Sequence, residues 1–562
     1  MARTVGIGIQ NFATIIESNC FYVDKTSFLK EWWESEDAVT LITRPRRFGK
    51  TLTMSMVEQF FSVKYAGRTD LFEKMSIWQE EKYRSLQGTY PVISLSFAGV
   101  KEITLELARK KICRIIKTLY DQNAFLLDGD VLSESEKEDF KKVSMDMDDS
   151  VASYAIKALS DYLYRYYGKK VIILLDEYDT PMQEAYVDGY WDEFVAFTRN
   201  LFNSTFKTNP SLHRAIMTGI TQVSKESIFS DLNHLKVVTT TSDEYADAFG
   251  FTEQEVFTVL KEFGISDQKH VVKEWYDGFT FGSISDMYNP WSIINYLDKG
   301  RVGAYWAHTS SNSLIGKLIR EGNKNIKQDF ECLLQGGIIT MVIDEQIVYN
   351  QLSNKKNAVW SLLLASGYLK VVKTRFDERE GEYDYELMLT NKEVRVMFES
   401  MIRDWFTEYE DDYNDFIKAL LVDNIKAMNH YMNEVALECF SYFDTGRRAS
   451  GKTEPERFYH GFVLGLMIEL KGRYVMTSNR ESGFGRYDVM LEPLNQKDNA
   501  IIIEFKVRDK EDEKTLADTV KAAIAQIEEQ KYEMTFVARG IAPERIRKYG
   551  FAFEGKNVLI GK

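Results

Sequence analysis

Residues 38–65 read AVTLITRPRRFGKTLTMSMVEQFFSVKY, and this stretch decides the fold of the N-terminal half. Ala38 to Ile42 is a short apolar run that stops at Thr43-Arg44-Pro45, and the segment after Gly49-Lys50-Thr51 has helical apolar spacing. That order predicts a strand, a loop and a helix. The loop from Arg44 to Thr51 matches the phosphate-binding pattern GxxxxGK[ST] except at its first position, where Arg44 replaces glycine. The pattern makes an anion cradle. Backbone N–H groups and a helix N-terminus face the phosphates, a lysine reaches the outer ones, and a hydroxyl ligates magnesium. Lys50 and Thr51 take the last two roles. The plain alternative is a Lys-Thr helix start after a basic loop.

Outward from this loop, PVISLSF (Pro91 to Phe97) predicts a second strand leading into a helix over Leu105 to Tyr120. The acid-rich stretch Asp128 to Asp149 reads as a solvated insertion with some helix. VIILL (Val171 to Leu175) predicts a third strand, followed by Asp176-Glu177-Tyr178-Asp179. Alternation of this kind predicts an α/β fold over residues 1–250, a parallel sheet flanked by helices with ligands at the carboxyl ends of its strands. Asp176 is assigned to magnesium and Glu177 to orienting the attacking water. A strand ending in Asp-Glu by itself serves equally to cap the next helix or face solvent. Paired with the phosphate loop in one α/β pattern, it points to nucleoside triphosphate binding.

The chain resembles the AAA-ATPase-like proteins of bacteria and archaea, which carry a YVDKT segment and an RPRRFGKT loop; here these are Tyr22 to Thr26 and Arg44 to Thr51. The resemblance continues through LLDEYDTP (Leu174 to Pro181), the string from Thr218 to Leu235, WYDGFTFG (Trp275 to Gly282), YNPWSI (Tyr288 to Ile293) and LTNKEV (Leu389 to Val394). It implies a P-loop AAA+-like domain of the signal-transducing class, in which the missing first glycine is normal, with ATP and Mg2+ as cofactors. It also puts Thr218, at the end of RAIMT, where such ATPases carry a polar sensor of the γ-phosphate; a hydroxyl capping a turn is the alternative. The expected nucleotide set is Arg46, Phe48, Gly49, Lys50, Thr51, Asp176 and Thr218, with Thr51 and Asp176 toward the metal. Arg44, Arg46 and Arg47 neutralise phosphate charge, reach a partner subunit, or form a solvated basic loop.

Residues 251–345 read as mainly helical, broken at Trp275-Tyr276-Asp277-Gly278 and Asn289-Pro290-Trp291, which suggests a helical lid. Residues 346–445 give a helix (AVWSLLLAS), two strands around Glu380-Gly381-Glu382 and further helices, a winged-helix-like module with a helical connector. Residues 446–562 read helix, strand, strand, strand, helix, strand, enough for one small α/β domain. There Ile501 to Lys506 predicts a strand, and residues two apart on a strand share a face. Glu504 and Lys506 therefore project together, Phe505 points the other way, and Asp488 on the preceding strand can sit beside them. Two acids that hold magnesium and a lysine that positions water and offsets charge are what metal-assisted phosphodiester cleavage requires. The alternative is an i,i+2 charge pair on an exposed face. The D-x(15)-E-x-K arrangement resembles the PD-(D/E)XK nucleases, which implies a role for Glu456 as a helical acid and for Gln526 in contacting substrate or bracing the site. His460 either approaches the metal or is a hydrogen-bonded helix histidine.

Composition sets the outer limits. The 562 residues are 44% apolar and 13% aromatic, enough to fill several cores, which excludes disorder. Cys20, Cys113, Cys332 and Cys439 have no metal-ligand spacing and read as free thiols of a cytoplasmic protein. The net charge of −14 argues against coating nucleic acid through overall charge, so any such contact is local. The combined expectation is an ATP-controlled, magnesium-dependent nuclease. Its catalytic residues are Glu177, Asp488, Glu504 and Lys506, and its metal ligands Thr51, Asp176, Asp488 and Glu504. The expected partner is nucleic acid, DNA ahead of RNA, with no membrane; a homo-oligomer and a protein or phage-derived trigger also enter the expectation, with defence or genome maintenance as a role by analogy. The competing reading is a nucleotide-dependent switch or interaction protein without nuclease activity.

Overall fold

The run VIILLD is buried at every position, and this determines where it lies: a strand with no polar face belongs in the middle of a sheet covered on both sides. The structure, a computed structural model, describes residues 3–223, 234–307, 315–316, 318–319, 324–344, 346–347, 357–379, 381–407, 410–439, 463, 466–470, 473–478, 481–482, 485–486, 489–495, 497–509 and 512–562. It contains two compact units, Met1–Ile315 with Ile338–Val396, and Gly316–Gly337 with Met397–Lys562. Among the described residues no helix is long and apolar enough to cross a membrane.

In the first unit, β1 (Val39–Thr43), β2 (Val92–Ser96), β3 (Val171–Asp176), β4 (Leu212–Gly219) and β5 (Leu235–Val238) form a parallel sheet in the order β2-β3-β4-β1-β5. Ile42, Ile172, Leu174 and Ile216 pack on one face against Val57, Phe60 and Phe61 of the Lys50–Phe61 helix. The alternate residues Leu41, Ile173, Leu175 and Met217 are equally buried. Strand β4 runs between β1 and β3, with Ile42 opposite Thr218 and Leu175 opposite Met217. Thr218 therefore stands at the carboxyl edge between the phosphate loop and Asp176. The acid-rich stretch holds one helix, Glu134–Lys142, closed at its start by a Ser133–Glu136 capping box and anchored by buried Phe140, whose ring lies 4.5 Å from that of Tyr120.

The middle region is less helical than its sequence pattern. Helices Glu253–Glu262, Lys269–Tyr276 and Pro290–Lys299 are present, but β6 (Phe251–Thr252), β7 (Phe279–Phe281) and β8 (Ile284–Tyr288) form an antiparallel sheet among them. These strands are two to five residues long, too short for alternation to register. Further along, the helix Ala358–Ala365 leads into β10 (Leu369–Asp377) and β11 (Glu382–Leu389), to which β9 (Ile339–Val342) adds an outer strand in the order β9-β11-β10. The chain passes from the first unit to the second within the Lys392–Thr407 helix.

The second unit is built on a sheet of β12 (Tyr474–Ser478), β13 (Val489–Pro493), β14 (Ala500–Val507), β15 (Ile546–Glu554) and β16 (Asn557–Gly561), in chain order across the sheet. Only β14 and β15 are parallel, so a crossover must join them, and the Leu516–Glu529 helix supplies it. The sequence pattern missed one strand here, because β15 and β16 follow each other across a tight turn. Ile501, Ile503 and Phe505 point to one core with Tyr549, Phe551 and Phe553, while Ala500 and Ile502 point to another with Ile527 and Tyr532. The exposed edge of β16 is closed by the Ile425–Cys439 helix: Asn429 and Asn433 each exchange two hydrogen bonds with the backbone of Ile560 and Val558, at 2.7–2.9 Å. Side-chain amides thus replace a missing neighbour strand.

Candidate active sites

The phosphate loop is shaped by two left-handed residues, Arg47 (φ 63°) and Gly49 (φ 86°), with Gly49 as the N-cap of the Lys50–Phe61 helix. Such alternation turns successive backbone N–H groups to one side and makes a concave anion site. Lys50 is buried, and its Nζ donates to the carbonyls of Arg44 and Pro45 at 2.9 Å each, which folds the loop around its own lysine. Burial pushes the Lys50 ammonium below its ordinary pKa, opposed by Glu177, Asp176 and Asp179.

Thr51 Oγ1 donates to Asp176 Oδ2 at 2.7 Å, and Thr218 Oγ1 donates to Asp176 Oδ1 at 2.5 Å. The helix, β3 and β4 thereby bring the three residues together at one carboxylate. Burial raises the Asp176 pKa, and the two hydroxyls oppose that rise. Glu177 follows in a left-handed conformation (φ 51°); its N–H donates to Thr218 Oγ1 at 3.3 Å and its Oε2 accepts from Thr180 at 3.2 Å. A hydroxyl and a carboxylate in contact at the mouth of an anion cradle are hard oxygen donors of the kind magnesium takes, so these residues fit the ion.

The remaining loop residues divide. Arg46 is half-buried, its guanidinium donating to Gln183 at 3.3 Å, and exposed Arg47 lies over the Trp291 ring at 4.5 Å. The Phe48 ring is buried away from the cradle, 4.7 Å from Phe279 and 5.2 Å from Phe281, so Phe48 has only its backbone to offer phosphate. Arg44 corrects the expectation of a solvated or phosphate-neutralising residue. It is 0% exposed, and its guanidinium donates to the carbonyls of Thr43, Thr239, Glu244 and Tyr245 at 2.6–3.3 Å while lying over Phe281. Burial pulls its pKa down to about 9. The position where the pattern has glycine is here a core cation that ties the loop to the chain after β5.

Three residues outside the sequence-derived set hold the loop from behind. Asn289 Nδ2 and Trp306 Nε1 both donate to the carbonyl of Arg46, at 3.2 and 2.9 Å. Trp306 is in turn held by buried Glu393, whose Oε1 accepts from the Trp306 N–H at 2.6 Å and whose Oε2 accepts from the Ser292 hydroxyl at 2.8 Å. Burial pushes the Glu393 carboxyl up to about 7. Sequence offered a signal for Asn289, as the residue before Pro290 in a helix-start pattern, and Glu393 lies in the LTNKEV string of the resemblance; Trp306 is brought to the loop by tertiary folding.

At the other end of the chain, Glu504 is 3% exposed on β14, and its Oε1 accepts from the Gln526 amide on the crossover helix. Gln526 therefore braces the carboxylate. Lys506, two residues on, is half-buried and forms no ion pair among the described residues. Phe505 points to the opposite core, 5.4 Å from Phe551. The described part of β13 starts with Val489 opposite Ile503; Asp488, Glu456 and His460 lie outside the described residues. The Glu504 carboxylate, fixed by an amide donor, suits a hard divalent ion as one ligand.

Residues 6–229 match the family model described as a predicted AAA-ATPase, and residues 454–562 match that of the PD-(D/E)XK nuclease superfamily. A protein of Azotobacter chroococcum mcd 1 named "Uncharacterized protein in vnfD 5'region" is 25% identical over 397 residues, which cover 70% of this chain and 69% of that protein. The chain thus joins an AAA-ATPase-like domain at its N-terminus to a PD-(D/E)XK nuclease-superfamily domain at its C-terminus.

Proposed function

We propose that this protein is an ATP-controlled, magnesium-dependent nuclease. The observation that carries the reading is the convergence of Thr51 and Thr218 on Asp176 beneath a left-handed phosphate loop, in a chain whose other end presents Glu504 braced by Gln526. Bound magnesium would neutralise phosphate charge and, at the second site, acidify a water. Lys50 leaves the carbonyls of Arg44 and Pro45 to meet the outer phosphates, Glu177 orients the attacking water, and Thr218 senses the γ-phosphate. At the C-terminal site Asp488 and Glu504 hold the ion, and Lys506 positions water and offsets charge on the scissile phosphate. DNA is the preferred substrate, and cytoplasmic defence or genome maintenance the role.

The deciding experiment incubates the purified full chain with plasmid DNA and with RNA, with and without magnesium and ATP. Cleavage of DNA that needs magnesium and changes with ATP is expected. ATP hydrolysis without cleavage of either polymer under all conditions would reduce the protein to a nucleotide switch.

A further inference from the structure

Asp179 closes the string Asp176-Glu177-Tyr178-Asp179 and, beyond the charge it sets against Lys50, has no part in the chemistry assigned above, yet it is a carboxylate only 3% exposed. Burying a charge is costly unless specific donors meet it. Among the described residues, the donors to its carboxylate come from one stretch of chain. Asp179 Oδ2 accepts from the N–H of Ile220 and the N–H of Thr221, both at 2.9 Å, and from the Thr221 hydroxyl at 3.0 Å. That stretch begins two residues after Thr218.

The residues before Asp179 are joined to the same stretch. The Glu177 N–H reaches Thr218 Oγ1 at 3.3 Å, the Tyr178 N–H reaches the Thr218 carbonyl at 3.0 Å, and the Tyr178 hydroxyl donates to the Thr221 carbonyl at 2.8 Å. The two segments also touch without space between them, since a Cβ at Gly219 would lie 2.7 Å from Asp179 Oδ1 and from the Tyr178 ring. Glu177 is thus suspended between two fixed carboxylates, Asp176 on one side and Asp179 on the other. Its left-handed backbone (φ 51°) is a conformation that a glutamate keeps only when its surroundings impose it.

We propose that Asp179 is a positioning residue for ATP hydrolysis: by clamping residues 220–221 it holds Glu177 in the left-handed turn that aims its carboxylate at the attacking water. The inference rests on the ATPase reading above. Without the clamp the turn relaxes and Glu177 swings away, while Lys50 keeps its own hydrogen bonds to the carbonyls of Arg44 and Pro45. A displacement of about 1 Å in such a group lowers turnover by about 10²-fold.

The test measures steady-state ATP hydrolysis and the binding of a fluorescent ATP analogue by the full chain. Asp179→Ala should lower kcat by about 30-fold or more with affinity within about threefold of wild type. Asp179→Asn, which keeps an acceptor for the same donors, should recover most of that loss, and Thr221→Val should cost about three- to tenfold in kcat alone. A kcat within about twofold of wild type in Asp179→Ala overturns the clamp, as does an affinity that falls in step with kcat. If Asp179→Ala does not fold, Thr221→Val decides in the same way. A wild-type protein that binds but never hydrolyses ATP would instead refute the ATPase reading.

Discussion

At the scale of single residues, the buried guanidinium of Arg44 ties the phosphate loop to the segment after β5. Arg44 read as a departure from a glycine pattern, whereas four carbonyls and two aromatic rings enclose it. Its partners at 239–245 lie about 200 residues away in sequence, so no local pattern could announce them. Restoring the pattern with Arg44→Gly should therefore harm the protein. It strips buried carbonyls of their donor, at about 1–3 kcal/mol for each one left unsatisfied. Denaturant midpoints should show a loss of about 3 kcal/mol or more, and an unchanged midpoint would mean that Arg44 does not carry this junction. Lys506, by contrast, was legible from strand alternation alone, because Glu504, Phe505 and Lys506 occupy alternate faces by geometry. If Lys506 is a mere charge partner, its removal costs about 0–1 kcal/mol of stability and leaves activity alone. As an electrostatic group at the scissile phosphate, it should carry about 10²–10³ in rate. Lys506→Gln should then bind nucleic acid as wild type does and cleave it slower by that factor in single-turnover assays; normal cleavage would return Lys506 to the surface.

At the scale of elements, the long apolar strands and the helices with regular spacing were readable, and the short strands were not. Burial on both faces gives β3 the unbroken apolar run Val171 to Leu175 and β1 a run interrupted by buried Thr40, while β6, β7 and β8 are too brief to carry a period and are held by tertiary contacts. Contacts of that kind also fix the back of the phosphate loop, where the helix Pro290–Lys299, the segment at Trp306 and the start of the helix Lys392–Thr407 meet at Glu393. The carboxyl of Glu393 is raised to about 7 by burial, from about 4.3 in an unfolded chain. The folded state therefore binds the proton more tightly. The stability this contributes is complete below about pH 4 and is lost as pH rises through about 7. Glu393→Gln cannot ionise and escapes the loss. Its stability relative to wild type should rise by about 3 kcal/mol between about pH 5 and 7.5, then level off. Denaturant titrations across that range check this, and parallel curves for the two proteins would show that Glu393 ionises as freely as a surface acid.

At the scale of the whole molecule, each unit has its own sheet and its own core, and each proposed site lies within one of them. Two sites with no shared side chains should respond to mutation independently in stability and in their own chemistry. The proposed control of one by the other would act through a structural element that has two arrangements. Within the first unit the loop is tied back to the start of the Lys392–Thr407 helix. The Arg46 carbonyl is held by Trp306, Trp306 by Glu393, and Glu393 stands at the start of the helix that carries the chain into the second unit. Lys50 binds the loop carbonyls immediately before Arg46, so its transfer to phosphate would release one side of that loop while the other stays held. This separates two mutants that a single-site protein would not separate. Glu504→Ala should abolish magnesium-dependent cleavage and leave ATP hydrolysis within about twofold of wild type, because the carboxylate and its Gln526 brace belong to the second unit alone. Lys50→Ala should lose tight ATP binding and keep the ATP-free level of cleavage, so that adding ATP no longer changes the rate. Parallel measurements of hydrolysis and cleavage on both variants decide the matter: an ATP response that persists in Lys50→Ala would show that nucleotide acts somewhere other than this loop, and loss of hydrolysis in Glu504→Ala would join the two chemistries into one site.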